Sequence, residues 1–281
     1  MLTVTDHDRS SAGLTYVYPV LSRRSGGLSV GINLNPNNRC NWRCIYCQVP
    51  NLERGAAPEI DLTLLEEELR FFLRDVLQGD FFQRQNIDQS QQKIQDIALS
   101  GNGEPTSSAE FEQVITLIGR IMQDFDLIGE IKLVLITNGS YIQRPHVQKG
   151  LQRMSDLNGE VWFKVDSATE KGLKIINNVH RSMESVRTNL DRTCRLCPTW
   201  LQTCVFRYQG NEPSADEQTA YLKFLQQLQA QNTPLKGILL YGLARPPQQP
   251  EAADLAPLEP TWLEGFADRI RQFSLSVRIS T

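Results

Sequence analysis

Histidine is almost missing from this chain: 281 residues hold only His7, His146 and His180. All three stand in polar, irregular stretches, so surface or turn positions are expected and none is assigned as a metal ligand. Long apolar runs are missing too, and nothing approaches the roughly 20 residues of a membrane span. There is no internal repeat and no low-complexity tract. The start, MLTVTDHDRSS, is polar and acidic, unlike a signal or transit peptide. Basic residues are not in excess: 29 Lys and Arg against 32 Asp and Glu give a net charge of −3. That balance argues against a broad nucleic-acid footprint, though not against a local basic patch. Together these absences predict a cytoplasmic protein with no membrane partner, whose six cysteines are reduced or metal-bound rather than paired. Apolar content of 40% and charged content of 22% are ordinary for a globular protein, and the length suits one large α/β domain or two small ones.

The cysteines are where the sequence departs from the ordinary. None precedes Cys40, and then Cys40-Asn41-Trp42-Arg43-Cys44-Ile45-Tyr46-Cys47 places three thiols at C-x3-C-x2-C spacing, directly after an apolar, strand-like run. Three thiolates on so short a loop can hold three corners of an iron–sulfur cube, which leaves one iron open to a small ligand. The competing reading is structural zinc. Zinc takes four ligands, usually as paired C-x2-C units, and no fourth Cys or His lies nearby.

With aromatic Tyr46 just before the last thiol, this triad resembles the cluster motif of the radical S-adenosylmethionine (SAM) superfamily. Within it the chain is most similar to the Fe–S oxidoreductases grouped with the wyosine (tRNA imidazoguanosine) synthases. The resemblance implies an enzyme with two cofactors, a [4Fe–4S] cluster on Cys40, Cys44 and Cys47 and SAM chelated at the open iron. It also implies an external one-electron reductant such as flavodoxin or ferredoxin. One electron from the cluster would cleave SAM to methionine and a 5′-deoxyadenosyl radical, which takes a hydrogen atom from the substrate. Two departures count against tRNA as that substrate: the wyosine synthases carry a second cluster on N-terminal cysteines, absent here, and this chain is acidic. A different class of protein remains open, an Fe–S carrier that holds a cluster without radical chemistry.

Strand–helix alternation organises the rest. Residues 1–26, with Arg23-Arg24 and then Gly26-Gly27, read as an N-terminal extension or edge strand. In Leu28–Leu34 the apolar side chains alternate cleanly with Ser29, Gly31 and Asn33. Thr63-Leu64-Leu65-Glu66 reads as a capping box opening a helix to about Gly79. Further strands are expected at Ile94–Ser100, Ile131–Thr137, Val161–Asp166, Pro198–Phe206 and Gly237–Tyr241. Helices are expected at Ser108–Phe125, after Pro145, within Thr169–Asp191 and at Ala215–Gln229. A Pro-rich loop at 248–260, a helix at Trp262–Phe273 and a strand-like Ser274–Ile279 close the chain. Six such units with right-handed crossovers predict an α/β fold, a partial (β/α)6 barrel, which is also the core the resemblance implies. The expected division is an extension over 1–26, the barrel over 27–245, and a loop, helix and strand over 246–281 packed on the barrel.

In such barrels ligands sit at the C-terminal strand ends, where the remaining motifs fall. Gly101-Asn102-Gly103-Glu104 is a Gly-rich turn by itself. By resemblance it is the segment that holds the SAM amino group, with Asn102 where the pattern has glycine. Gly103→Val is accordingly expected to abolish SAM binding while the cluster still forms. Thr137 and Asn138, Tyr46 and Tyr241 are further cofactor candidates, the two tyrosines beside adenine. On the fourth strand Lys164 and Asp166 point into the barrel, and a buried Lys needs the partner that Asp166 supplies. That pairing has a purely structural reading; the similar Lys-φ-Asp strand of the wyosine synthases implies instead a place in the site, on the SAM carboxylate or ribose or on substrate. Lys164 and Cys204 are the catalytic candidates; Cys204 is either a small buried hydrophobe or a thiol near the radical. Cys194, Cys197 and Cys204 invite a second-cluster reading. On one strand, however, Cys197 and Cys204 would stand roughly 23 Å apart, so no second cluster is expected.

Overall fold

The computed structural model describes residues 13–22, 26–243 and 245–280. Arg23-Arg24 and most of the first 26 residues lie outside them. The frame is an eight-stranded sheet in the order β1-β2-β3-β4-β5-β6-β7-β8. Its strands are β1 (Val17–Ser22), β2 (Gly27–Ile32), β3 (Ile94–Leu99), β4 (Lys132–Thr137), β5 (Glu160–Lys164), β6 (Thr199–Cys204), β7 (Leu235–Tyr241) and β8 (Val277–Ser280). Only β1 runs antiparallel to its neighbour. Strands β2 to β8 pair in parallel, each with the next. The six expected parallel strands are therefore present, and the strand-like tail adds a seventh beside β7. This is the partial (β/α)6 barrel of the sequence reading.

Helices cover the outer face of the sheet. They are α1 (Leu62–Gln78), α2 (Phe111–Asp124), α3 (Pro145–Asp156), α4 (Glu170–Asn177), α5 (Met183–Leu196), α6 (Ala215–Ala230) and α7 (Pro260–Arg271). The outward residues of the strands, such as Val30, Leu133, Leu135, Val161 and Phe163, are fully buried and share one core with the helices' apolar stripes. On α2 that stripe is Phe111, Val114, Ile115, Ile118 and Met122, all without exposed surface.

Several boundaries correct the sequence reading. Asp61, not Thr63, caps α1: its carboxylate accepts from the amides of Thr63 and Leu64 at 3.0 Å each. Thr63 therefore lies inside the first turn, where its amide is what needs capping. Helix α5 runs to Leu196, so Cys194 is helical rather than at the head of a strand. Strand β6 stops at Cys204, two residues short of Phe206. The Pro-rich loop contains a 3₁₀ segment at Pro250–Asp254 and a short pairing of Leu255–Ala256 with Arg207–Tyr208.

Candidate active site

The cysteine loop leaves the C-terminal end of β2 and is held from three sides. On the first, the Asn33 carboxamide oxygen accepts from the amides of Asn35 and Asn102, 3.0 Å each, and Asn35 Nδ2 donates to the Arg39 carbonyl at 2.9 Å. On the second, the loop amides of Arg43 and Ile45 donate to the carbonyls of Asn177 and Ile176 at 3.2 and 2.8 Å, at the C-terminal end of α4. On the third, Gln248 N donates to the Cys47 carbonyl at 2.8 Å, and Arg43 forks onto Glu251 at 2.6 and 3.0 Å. A loop whose own sequence has little secondary-structure preference is thereby given one shape by partners as far as 208 residues away.

Two of the thiols already receive N–H donors. Trp42 N donates to Cys40 Sγ at 3.4 Å, and Asn177 Nδ2 to Cys44 Sγ at 3.2 Å. Burial still dominates their titration: it pushes Cys40 up to about 12 and Cys44 well above its ordinary value. Half-buried thiols with aimed donors suit ligands that ionise only against a bound cation. Among the described residues no three His, Cys, Asp or Glu side chains gather around one ion-sized point. A four-iron cube makes no such demand, because each thiolate takes a different corner.

The Gly101–Glu104 segment sits directly against this loop. A Cβ on Gly103 would lie 2.1 Å from the Arg39 carbonyl oxygen, and one on Gly101, at φ +142°, would lie 2.4 Å from Asn33 Oδ1. Both glycines thus lie against the segment that carries the cysteine loop, Gly101 at Asn33 and Gly103 at Arg39, one residue before Cys40. Gly103→Val is therefore expected to disturb the cysteine loop as well as SAM binding, because the close approach is to protein backbone. Glu104 is also committed to the protein. Its buried carboxylate accepts from the hydroxyls of Thr106 and Thr137 and from the amides of Thr106 and Asn138, the last at 2.7 Å. Burial lifts its pKa, and these bonds partly offset the rise. Glu104 thereby ties the end of β4 to the glycine segment. Thr137 faces this carboxylate, while Asn138 reaches back to Asn41 Oδ1 at 2.9 Å.

Across the barrel, Lys164 and Asp166 form the expected pair at 3.8 Å, with Lys164 also donating to the hydroxyls of Tyr46 and, at 3.2 Å, Tyr241. Burial works against the ammonium, but Asp166, Tyr241, Cys44 and Cys204 together outweigh it, and Lys164 is held well above its usual range. Tyr46 donates to Asp166 Oδ2 at 2.5 Å; Cys204 N donates to Oδ1 at 3.0 Å. A strand-end Lys and Asp, a loop Tyr and a β7 Tyr thus become one polar unit.

One chamber of about 310 Å³ joins these parts. Cys40, Cys44, Cys47, Tyr46 and Gly101–Glu104 line it, together with Asn138, Lys164, Cys204 and Tyr241. It continues inward past Trp162 and Gln202 to Ser29 and Asp96. Thr137 and Asp166 stand behind its wall rather than on it. Toward the N-terminal ends, the Trp162 and Trp200 indoles donate to Glu160 at 2.9 and 3.3 Å, and Lys236 joins them at 3.0 Å. The remaining cysteines divide. Cys194 and Cys197 lie in the main core, while Cys204 packs with Ile45 and Phe206 below the cysteine loop. The sequence reading did not single out Asn177, Arg43, Glu251 or Gln202. Gln202 had a usable signal, since it shares the inward parity of Cys204. Its side chain is buried and its Oε1 has no hydrogen-bond partner.

A parallel β/α barrel with a three-thiol loop at the mouth of such a chamber defines a class, and comparison with known families agrees. The radical SAM superfamily model matches residues 34–216, so the chain belongs to the radical SAM superfamily. Among curated proteins it is 31% identical over 172 residues to a UPF0026 protein of Methanocaldococcus jannaschii, covering 59% of this chain and 44% of that one. It is 24% identical over 213 residues to a UPF0026 protein of Helicobacter pylori, covering 75% and 61%. The chain thus spans about half the length of these relatives. Among solved structures, TYW1 with a lysine–pyruvate adduct bound superposes with a TM-score of 0.58 at 14% identity, covering 87% of this chain and 73% of that one. At that identity the likeness is one of fold. Among the described residues no helix is long and apolar enough to cross a membrane.

Proposed function

We propose that Cys40, Cys44 and Cys47 hold a [4Fe–4S] cluster with one open iron, and that SAM occupies the outer part of the chamber. When bound, the cluster supplies one electron that cleaves SAM to methionine and a 5′-deoxyadenosyl radical, and a flavodoxin- or ferredoxin-type donor renews that electron. The observation that carries this reading is the chamber itself: three thiols, the glycine segment and the Lys164–Tyr46–Tyr241 unit share it. A pure electron carrier needs no such cavity. Asn102 and Glu104 belong to the rim where the SAM amino group is expected. Lys164 and Arg245 both line the chamber, and Lys164, beside Tyr46 and Tyr241, is the cation suited to a carboxylate. Tyr46 and Tyr241 give aromatic surface for adenine, with Asp166 holding Tyr46 and Lys164, while Asn138 holds Asn41 of the cysteine loop. Cys204, beneath Tyr46, is the thiol placed to exchange a hydrogen atom with substrate.

The substrate reaches the inner chamber, so it is a small molecule or a group thin enough to enter beside SAM; an extruded tRNA base is the disfavoured case, given the acidic chain. The test is to reconstitute the protein anaerobically, reduce it and add SAM. Release of 5′-deoxyadenosine supports the enzyme. A cluster that reduces without cleaving SAM supports the electron-carrier reading instead. Comparing metabolites and digested tRNA nucleosides from cells with and without the gene would then identify the substrate.

A further inference from the structure

Asn177 is the last residue of α4 and has no exposed surface. Its side-chain nitrogen makes two contacts, one to Cys44 Sγ at 3.2 Å and one to Asp166 Oδ2 at 2.8 Å. Both partners are acceptors when ionised, so chemistry fixes the amide orientation: an oxygen in that place would face a thiolate and a carboxylate. The two N–H bonds of one NH₂ group therefore serve a thiol of the cysteine loop and the carboxylate behind Lys164 and Tyr46. The Asn177 carbonyl, meanwhile, accepts from Arg43 N at 3.2 Å, and Asn178 Nδ2 donates to the Arg43 carbonyl at 2.9 Å. Main chain and side chain together hold Asn177 against the loop, so the amide cannot swing away.

We infer that Asn177 is a positioning residue that sets the reduction potential of the cluster and couples it to the Lys164–Asp166 wall. The inference rests on the cluster reading above. An N–H donor to a cluster sulfur stabilises the reduced, more negative form and so raises the potential. Sharing the same NH₂ with Asp166 makes the strength of that donor depend on how the carboxylate is engaged. A ligand that draws Lys164 away from Asp166 would strengthen the Asp166–Asn177 bond at the expense of the bond to sulfur.

The experiment is a redox titration of SAM-free protein, followed by electron paramagnetic resonance, for wild type, Asn177→Ala and Asn177→Ser. Ala removes both donors. The reduced-to-oxidised ratio at a fixed reductant should fall about tenfold, which is 59 mV for a one-electron couple. Ser keeps one O–H and should recover part of the loss. In parallel, wild type carrying side-chain ¹⁵N-asparagine should show a nitrogen hyperfine coupling in its reduced cluster that disappears in Asn177→Ser. Equal iron and equal potential in wild type and Ala would overturn the inference, as would a wild-type cluster with no such coupling. If Ala takes up no iron, the labelled wild type decides. Wild type that takes up no cluster at all would overturn the cluster reading, and this inference with it.

Discussion

Adding a single methyl group at Gly103 should damage the cysteine loop before it touches the cofactor. The Cβ of an alanine would fall 2.1 Å from the Arg39 carbonyl oxygen and 2.6 Å from Asn35 Cγ, where real Cβ contacts stay beyond 3.0 Å. The backbone at Arg39 must then retreat by at least 0.9 Å, the difference between 3.0 and 2.1 Å. Three features resist that retreat: the Asn35–Arg39 hydrogen bond, the pairing of Arg39–Cys40 with Glu53–Arg54, and Gly55 N donating to the Cys40 carbonyl at 3.1 Å. Overpacking of this kind costs about 1–3 kcal/mol. For a domain of this size that is a fall in melting temperature of about 2–12 °C. Cys40 moves with Arg39, so Gly103→Ala should also lower iron and sulfide per chain after anaerobic reconstitution. Gly265→Ala is the control: it lies in α7 with nothing within 4 Å of its Cβ, and should be neutral or slightly stabilising. A Gly103→Ala protein with full iron and an unchanged melting temperature, but weakened SAM binding, would refute the argument and return the glycine to the cofactor.

Replacing Cys40, Cys44 or Cys47 with Ala should each remove the brown colour, about four irons per chain and SAM cleavage together; a full cluster in any one of them sinks the ligand assignment. Cys204→Ala should leave iron content unchanged, checked by metal analysis, because that thiol packs against Ile45 and Phe206 rather than with Cys194 and Cys197. Lys164→Met should destabilise the protein by about 3 kcal/mol in urea unfolding, since it leaves the buried Asp166 carboxylate without its cation; the Lys164→Met, Asp166→Asn double variant should recover part of that, and equal loss in both would show the pair is not coupled. At Glu160 burial raises the carboxyl, but donors from Trp162 and Lys236 outweigh it and hold it below the ordinary 4.5. A depressed carboxylate stabilises the fold above its ordinary value and loses that contribution as pH falls through the folded value. Glu160→Gln should therefore lower stability above pH 4.5 and narrow its gap to wild type at more acid pH, followed by circular dichroism; a gap that stays constant through that window would contradict the shift.

Local chemistry was enough to read much of this protein from its sequence. Three thiols at C-x3-C-x2-C spacing can do little else together, and apolar alternation on Leu28–Leu34 or Val161–Asp166 has one period and so one face for Lys164. Parallel strand–helix units follow from the same periodicities, and they fix which strand ends gather. What the sequence left undecided depends on contacts between distant residues. Asp61 beat Thr63 to the α1 cap because a cap is settled by which side chain meets the free amides. Gly101 and Gly103 read as ligand-facing, and they do line the chamber; that Asn33 and Arg39 also press against them only the fold could show. Asn177 and Glu251 carry no motif, and they enter the site only because the end of α4 and the segment after β7 are folded onto the cysteine loop. A hydrogen bond across 133 residues, such as Asn177 to Cys44, has no periodic trace in the chain; it exists because closing the barrel fixes both ends in space.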